Sequence, residues 1–406
     1  MDDADSPYLL SGLKVVDAAT VMAAPAAAMV LADFGADVVK VEQPGSGDML
    51  RMISGIRAMP GAGTEYLWHM GARNKRSITL NLRTEAGLEV LHRLAQECDV
   101  FITNHPYPVR ERFGLTYDDL RPANPTMIYV SFTAYGERGP ERDRKAFDQL
   151  AYWARSGLMD LMREDGTIPA QGLPGMGDHP TAMAIYAGIV TALLHRERTG
   201  EGSMVSTSLL ANGLWSASAV VQGVMAGGDM SEFREWRRNP QFLFTPYRCS
   251  DGRWLQFNMV RTEELMYMLL AGMDAMHLVE DERFATWEAA QENRIELREL
   301  IQDIIGQRPS DAWLATFEAL DVPVNRIALV EESVTDRQVL ENRMVISVDE
   351  AEFEMSKVVT HPIQVSGVAH VEPRPGPALG EHSEEILREL GYDENAIAAM
   401  QEAGAL

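Results

Sequence analysis

The chain has 406 residues, of which 46% are hydrophobic, and it carries a formal net charge of −24 at pH 7. This length and apolar content predict a large core that is divided between two domains. The charge argues against a nucleic-acid-binding protein and against a protein attracted to an anionic membrane surface, because both would need a basic face.

The cysteine content and the N-terminal segment favour a cytoplasmic protein. Cys98 and Cys249 are the only cysteines, too few for a disulfide framework or a thiolate metal site. Residues 1–10 are acidic and lack the basic flank and apolar core of a signal peptide. The stretch nearest to a membrane span, residues 208–228, contains Asn212 and Gln222, so we expect a buried helix there and no membrane partner.

In the first part of the chain, strand patterns alternate with helix patterns. Short apolar runs predict strands at residues 13–19, 36–42, 77–82, 99–103 and 127–133, and helices are predicted at residues 25–34 and 85–97. This alternation predicts the α/β class, with a parallel sheet covered by helices. Right-handed crossovers would place the loops 42–51 and 104–112 at the carboxyl ends of strands, where open α/β sheets bind ligands.

The pattern changes near residue 223 and again near residue 330. Between these points the sequence predicts a hairpin at Asp251-Gly252 and helices across residues 263–320. After them it predicts a strand-like piece at residues 361–365 and a terminal helix at 383–390. We therefore predict a large domain from residues 1–222 and 330–406, with a smaller α+β domain at residues 223–329.

Asp178 stands at the mouth of the clearest helix pattern. Apolar residues recur at helical spacing from 180 to 198, Pro180 suits the first turn and Gly200 suits the stop. We expect Asp178 to cap this helix, or nearly so, and the helix dipole to hold its carboxylate ionised. A plain N-cap and a catalytic nucleophile both remain open on this pattern.

Two basic clusters stand out in an acidic chain. One is at residues 73–76, and the other contains Arg138, Arg142, Arg144 and Lys145. Each could bind phosphate groups or could simply be a solvated charged surface. The nine histidines show no metal-binding spacing, so we expect no metal.

The order of the motifs resembles that of the family III CoA-transferases, the group that includes formyl-CoA transferase and carnitine CoA-transferase. Matching motifs occur over nearly the whole chain, at residues 10–17, 35–42, 45–48, 74–77, 104, 139–140, 147–148, 177–178, 199–202, 246–248, 251–252 and 379–382. With order and spacing kept over this length, chance is a poor explanation.

The resemblance implies a reaction and a site. It makes Asp178 the nucleophile that attacks an acyl-CoA thioester, with coenzyme A as co-substrate and a carboxylic acid as acceptor. Lys75, Asn104, Arg112 and Lys145 match positions that contact CoA in relatives. The implied fold is an interlocked, ring-like homodimer whose large domain is Rossmann-like and built from both chain ends.

The chain also departs from relatives. Met22 and Gln43 stand where the formyl-CoA enzyme has a Gln and an Arg, and residues 256–261 lack its glycine-rich loop. Oxalate and formate are therefore poor candidates, and a larger, less polar acyl group is expected.

Three other functions fit the sequence less well. An α-methylacyl-CoA racemase of the same fold would need a His where this chain has Phe147, and Phe cannot exchange a proton. A non-catalytic acyl-CoA-binding protein would not need Asp178. A nicotinamide-dependent dehydrogenase would need a glycine fingerprint after the first strand, where this chain has Ala24-Pro25-Ala26.

Overall fold

The computed structural model describes residues 7–164, 166–258 and 263–406, which divide into two compact units. Unit 1 contains Met1–Met162, Pro169–Val221 and Leu340–Leu406, and unit 2 contains Arg163–Ile168 and Gln222–Val339. The first and the last described segments of the chain therefore belong to one unit. The segment 256–261, in which the sequence lacks a glycine-rich loop, lies partly outside the described residues.

A six-stranded parallel sheet forms the centre of unit 1. Its strands are β1 (Lys14–Ala18), β2 (Asp37–Glu42), β3 (Arg76–Thr79), β4 (Val100–Thr103), β5 (Ile128–Thr133) and β6 (Ser203–Ser208). They lie in the order 3-2-1-4-5-6, so the order reverses between β1 and β4. The predicted α/β class is confirmed. The sequence does not predict β6, because its Ser-rich and Thr-rich stretch lacks the apolar run of a buried strand.

Helices cover both faces of this sheet. The helices of the chain up to residue 225 are α1 (Ala23–Asp33), α2 (Leu50–Ile53), α3 (Tyr66–Ala72), α4 (Glu85–Glu97), α5 (Tyr107–Phe113), α6 (Tyr117–Leu120), α7 (Leu158–Met162), α8 (Asp178–Thr199), α9 (Leu209–Ser216) and α10 (Ser218–Met225), with a π-helix at Gln149–Ala154; α10 continues from unit 1 into unit 2. Because strand side chains alternate, Val15 joins a core with Leu31 and Ile185, while Val16 joins another with Leu91.

Unit 2 has its own core. Its strands are β7 (Pro246–Arg248), β8 (Trp254–Phe257) and β9 (Val324–Arg326), which form an antiparallel sheet. The helices that follow residue 225 are α11 (Met230–Arg238), α12 (Glu263–Gly272), α13 (Trp287–Glu292), α14 (Arg294–Ile305), α15 (Ser310–Ala319) and α16 (Arg337–Glu341), with 3₁₀ turns at Met276–Glu280 and Val330–Glu332. The predicted hairpin and helices of this region are confirmed.

The C-terminal segment ends in two helices that pack on the sheet of unit 1. It contains β10 (Val345–Ser347), α17 (Glu350–Phe353), β11 (Lys357–Val359), α18 (Ser383–Glu389) and α19 (Glu394–Glu402). Ile386, Leu387 and Ile397 share a core with Leu91 of α4. The terminal helix predicted at residues 383–390 is confirmed as α18.

Two local predictions are wrong. The buried helix expected at residues 208–228 is two helices, α9 and α10, and Trp215 on α9 is 79% exposed. The strand expected at residues 361–365 is absent from that described segment, because Pro362 has no N–H to donate and Ile363 packs against Phe34 instead.

Within residues 7–164, 166–258 and 263–406, no helix combines the length and the apolar content that a bilayer crossing requires.

Candidate active site

Asp178 begins α8 without capping it. The N-cap is Gly177, Asp178 is the first helical residue, and there is no side-chain cap hydrogen bond. A side chain at the N-cap is excluded by the packing, since a Cβ on Gly177 would lie 2.8 Å from Cγ of Tyr152. Asp178 therefore nearly caps the helix, as the sequence predicts, while Gly177 occupies the N-cap position itself.

The Asp178 carboxyl group is a stronger base than an ordinary aspartate. Burial and, second, the negative charge of Asp148 raise the pKa of Asp178 to about 7. The expectation that this group is held ionised is wrong, because burial and the charge of Asp148 raise its pKa. Near neutral pH, Asp178 is divided between its protonated and ionised forms.

Asp148 precedes the π-helix and holds the loop that carries Asp178. Its Oδ2 accepts a hydrogen bond from the N–H of Gly177 at 3.4 Å. Burial raises the pKa of Asp148 above its ordinary value, although N–H groups of Gly177 and Gly175 oppose that shift. Asp148 therefore both supports the nucleophile's loop and disfavours ionisation of Asp178.

A pocket of about 580 Å³ in unit 1 has Asp178 on its wall. Asn104 and Lys145 line the same pocket, so the structure brings three of the predicted site residues together. The lining is basic on one segment, residues 142–145, and largely apolar elsewhere, at Met22, Ala23, Met49, Phe132, Ala134, Ala146, Phe147, Leu150 and Leu209.

The three cations of residues 142–145 differ in whether they already have an ion-pair partner. Arg142 pairs with Asp143 at 2.9 Å, and its guanidinium lies 3.9 Å from the centre of the Tyr107 ring. Arg144 pairs with Glu141 at 2.5 Å. Lys145 is exposed and has no ion-pair partner within the described ranges. Lys145 is therefore the cation of this segment most available to an anionic ligand.

Asn104 follows β4 and bonds to the loop that follows β1. Its Oδ1 accepts a hydrogen bond from the Thr20 N–H at 3.0 Å, and its Nδ2 donates to the Thr20 carbonyl oxygen at 2.8 Å. These bonds cross the point where the strand order reverses, the usual ligand position in an open α/β sheet. Asn104 thus fixes the loop as well as lining the pocket.

Lys75, which the sequence predicts to contact CoA, lies in a buried ion pair. Its Nζ donates to Asp17 Oδ2 at 2.9 Å and to the Pro25 carbonyl oxygen at 2.7 Å, and its side chain is 0% exposed. Burial lowers the pKa of Lys75 in spite of the Asp17 charge. Lys75 is not among the residues that line the Asp178 pocket.

Arg112 also lies outside that pocket lining. It is exposed in the last turn of α5, with its guanidinium 4.6 Å from the centre of the Phe113 ring. Its neighbour Arg110 is buried and donates to Ser131 Oγ at 2.6 Å. The structure therefore does not bring Lys75 or Arg112 together with Asp178.

The sequence assigned no role to Asp148 or to the loop at Thr20 and Val21. The Phe147-Asp148 pair was visible as a motif, but only folding places its carboxylate beside Asp178. Loop residues after a buried strand carried a weak signal for a site.

Comparison with known proteins gives a consistent result. A sequence model described as CoA-transferase family III matches residues 10–383. The chain is 31% identical over 390 residues to (R)-2-hydroxy-4-methylpentanoate CoA-transferase of Clostridioides difficile, covering 96% of this chain and 97% of that protein. It is 29% identical over 397 residues to cinnamoyl-CoA:phenyllactate CoA-transferase of Clostridium sporogenes, covering 97% and 96%.

A solved structure agrees with these relatives. The crystal structure of a CAIB/BAIF family protein from Brucella suis superposes with a TM-score of 0.80 at 29% identity. The match covers 94% of this chain and 99% of that chain.

Proposed function

The chain belongs to CoA-transferase family III and is an enzyme of that activity, and we propose that Asp178 is its nucleophile. The observation that carries the proposal is the position of Asp178, on the wall of a pocket that also contains the exposed Lys145. Asp143 lines the pocket too, but it is paired with Arg142. Asp178 has no ion-pair partner in the described part of the chain, so its carboxylate is available to react.

The proposed reaction begins with the ionised form of Asp178. One carboxylate oxygen attacks the thioester carbonyl of the donor, the C–S bond breaks, and a mixed anhydride and the CoA thiolate result. The thiolate then attacks the Asp178 carbonyl carbon and releases the donor acid as a carboxylate. This step leaves CoA joined to Asp178 as a thioester.

The acceptor completes the cycle. Its carboxylate attacks the Asp178 thioester, displaces the CoA thiolate and forms a second anhydride. The thiolate attacks the acceptor acyl carbon, so acyl-CoA leaves and the Asp178 carboxylate is regenerated. We expect backbone N–H groups to stabilise each oxyanion.

The raised pKa of Asp178 fits this role. A carboxylate with a pKa of about 7 is more basic than an ordinary aspartate, and so more nucleophilic once ionised. The same burial that raises the pKa also limits access of water, which would hydrolyse an anhydride or a thioester.

For CoA binding, the structural support differs among the predicted residues. Lys145, with Arg142 and Arg144 beside it, offers positive charge to the phosphate groups of CoA. Asn104 is proposed to act at the pocket wall, where it also holds the loop. Lys75 and Arg112 stay predictions from the resemblance, and the buried ion pair of Lys75 favours a structural role.

The acyl group is proposed to be larger and less polar than formate or oxalate. Met22, Met49, Phe132, Leu150 and Leu209 supply apolar surface to the pocket that contains Asp178. The two curated relatives named above carry branched or aromatic acids in their names, which agrees with this proposal.

We also propose a cytoplasmic homodimer with a Rossmann-like large domain. The strand order 3-2-1-4-5-6 supports the Rossmann-like domain type.

Exposed apolar area on unit 1 supports the homodimer, because a second copy would cover it. This area includes Trp215, Leu194 and Val190, which are 79%, 51% and 40% exposed. Two buried, free cysteines suit a reducing compartment. Light scattering tests the dimer.

Trapping tests the central step. The protein is incubated with a donor acyl-CoA and no acceptor, then treated with hydroxylamine or borohydride, and its peptides are analysed by mass. Hydroxylamine should convert an activated Asp178 to a hydroxamate, and borohydride should reduce the thioester to an alcohol. A racemase would instead exchange the substrate α-proton with deuterated solvent, so exchange without an Asp178 adduct would contradict the proposal.

A further inference from the structure

The loop between β1 and α1 contains a backbone conformation that its residue disfavours. Val21 has φ +71°, in the left-handed region. A β-branched side chain is strained there, because its Cβ substituents crowd the backbone. Of the six described non-glycine residues with positive φ, Val21 is the β-branched one, and it lines the Asp178 pocket. Such strain persists only where the surroundings hold it.

Asp48 and Lys40 supply much of that hold. Asp48 Oδ1 accepts a hydrogen bond from the Val21 N–H at 2.9 Å. Asp48 Oδ2 lies 2.7 Å from Lys40 Nζ, and each of these two side chains is 1% exposed. Lys40 Nζ in turn donates to the carbonyl oxygen of Ala19, just before the turn. The ion pair therefore contacts the backbone on both sides of Thr20.

Asp48 is itself fixed by the loop that follows β2. Its Oδ1 also accepts from the Leu50 N–H at 2.9 Å, and its own N–H donates to Glu42 Oε2 at 2.9 Å. Met49, between Asp48 and Leu50, lines the same pocket as Val21. One carboxylate thus ties together two loops that form walls of the pocket.

The pair stays ionised near neutral pH. Burial would lower the pKa of Lys40, but the charges of Asp17, Asp48 and Glu42 outweigh it and raise that pKa. Lys40 and several N–H donors lower the pKa of Asp48 against the effect of burial. Neither residue lines the Asp178 pocket, so neither is placed to exchange a proton with substrate. A buried ion pair is weak evidence for stability, and a role in specifying geometry is the alternative.

Met22 connects the strained turn to the nucleophile. It follows Val21, is buried, and lies against Gly175, three residues before Asp178. A Cβ on Gly175 would lie 3.0 Å from Met22 Sδ and 3.2 Å from His179 Cε1. If the turn relaxed, Met22 would leave this contact and the loop that carries Asp178 would lose its support.

We propose that Lys40 and Asp48 are positioning residues that hold the Val21 turn, so that Met22 supports the Gly175 loop and Asp178 faces the pocket. The proposal rests on Asp178 being the reacting carboxylate. Loss of the turn would lower the rate of the chemical steps more than the affinity for CoA, because the cations proposed to bind the phosphate groups lie on residues 142–145 and are not among the groups that hold the turn, although Asn104 does contact it through Thr20.

The test combines Asp48→Asn with a strain-relieving substitution. Asp48→Asn should lower kcat by about tenfold or more and change KM for acyl-CoA far less. In the Val21→Gly background, glycine adopts positive φ without strain, so Asp48→Asn should lower kcat several-fold less than it does with Val21 present. A merely structural role of Asp48 predicts equal losses in both backgrounds, and that result would overturn the proposal.

A second variant covers the case in which a single substitution prevents folding. Lys40→Met combined with Asp48→Asn removes both charges of the pair, which proteins tolerate better than one unpaired charge. This double variant should show the same loss of kcat and the same rescue by Val21→Gly. If the folded double variant keeps wild-type kcat, the proposal is wrong.

Asp33→Asn is the matched control. Asp33 forms a buried pair with Arg73 at 2.6 Å at the other end of α1, away from the strained turn. It should lower the thermal midpoint while leaving kcat within about twofold of wild type. A loss of kcat as large as that of Asp48→Asn would overturn the proposal. Asp178→Ala tests the nucleophile separately, because this variant removes the reacting carboxylate and leaves Lys40, Asp48 and Val21 unchanged.

Discussion

Unit 1 contains two regions in which a carboxylate and an ammonium group occur together, and these regions differ in burial. One contains Asp17 and Lys75, and the other contains Asp178 and Lys145. Asp17 and Lys75 lie 2.9 Å apart with both side chains 0% exposed. Asp178 and Lys145 line an open pocket, and neither has an ion-pair partner within the part of the chain that the structure describes. In the first region the charges neutralise each other, and in the second they remain available to a ligand.

This difference explains why two lysines from similar basic clusters differ in availability. The Lys75 ammonium group is already paired with Asp17 and bonded to a carbonyl oxygen, so this side chain joins β1 to the segment before β3. Lys145 is exposed and lines the same pocket as Asp178. Positive charge in a sequence indicates a binding site only where the fold leaves it without an internal partner.

Removing the unpaired carboxylate should have the largest effect. Asp178→Ala and Asp178→Asn should lower the rate of CoA transfer by about 1000-fold or more, because no other unpaired carboxylate lines the described pocket. Steady-state assays with circular dichroism as a control for folding check this. Residual activity above about a tenth of wild type would contradict the covalent role.

The second-largest effect should be a loss of stability when the buried pair of Asp17 and Lys75 is broken. Lys75→Met leaves the buried Asp17 carboxylate with Lys40, 3.9 Å away, in place of its closer partner, which should cost about 3 kcal/mol of unfolding free energy. Urea denaturation measures the loss. If the variant kept its stability and instead showed a higher KM for acyl-CoA, Lys75 would face the ligand after all and the two regions would not differ as described.

Replacing the exposed Lys145 should weaken substrate binding and leave stability nearly unchanged. Lys145→Ala should raise KM for acyl-CoA by about tenfold with a smaller change in kcat, since a cation on a phosphate contributes equally to substrate and transition state. Its unfolding free energy should change by no more than about 0.5 kcal/mol. The KM of the wild type should also rise with salt more than that of the variant, and equal salt dependence would count against a phosphate contact.

The smallest expected effect concerns pH. For the wild type, kcat/KM should rise as pH increases through about 7, because the ionised form of Asp178 reacts. Asp148→Asn removes the neighbouring negative charge, so the midpoint should move to lower pH by about 1 unit. A midpoint that does not move would mean that burial alone sets the pKa.

The same pKa predicts a stability effect with a definite sign. The folded pKa of Asp178 lies above its ordinary value of 3.8, so ionisation of this group opposes folding. That penalty is absent at acidic pH, and it grows as pH rises from about 4 through about 7. Asp178→Asn should therefore stabilise the protein more at pH 8 than at pH 5. Urea denaturation at the two pH values measures the difference.

The sequence predicted the strands and the helix that carry the site better than the ionisation of Asp178 or the backbone conformation of Val21. The strands β1 to β5 and the start of α8 follow from apolar runs and from Pro180 and Gly200, which are local signals. The ionisation of Asp178 was predicted wrongly, because the dipole of α8 is a local feature whereas Asp148 lies 30 positions earlier in the chain. The strain at Val21 carried no sequence signal, since valine ordinarily avoids that conformation.

By itself, the sequence determined the α/β class, the family through motifs ordered along the chain, and the candidate nucleophile Asp178. These depend on residue type and spacing, which survive without coordinates. Only the tertiary structure decided which charges are paired: Lys75 with Asp17, Lys40 with Asp48, and Lys145 with no described partner. Pairing depends on distance and burial between segments far apart in the chain, and an ammonium group is available to a ligand only where folding has not already neutralised it.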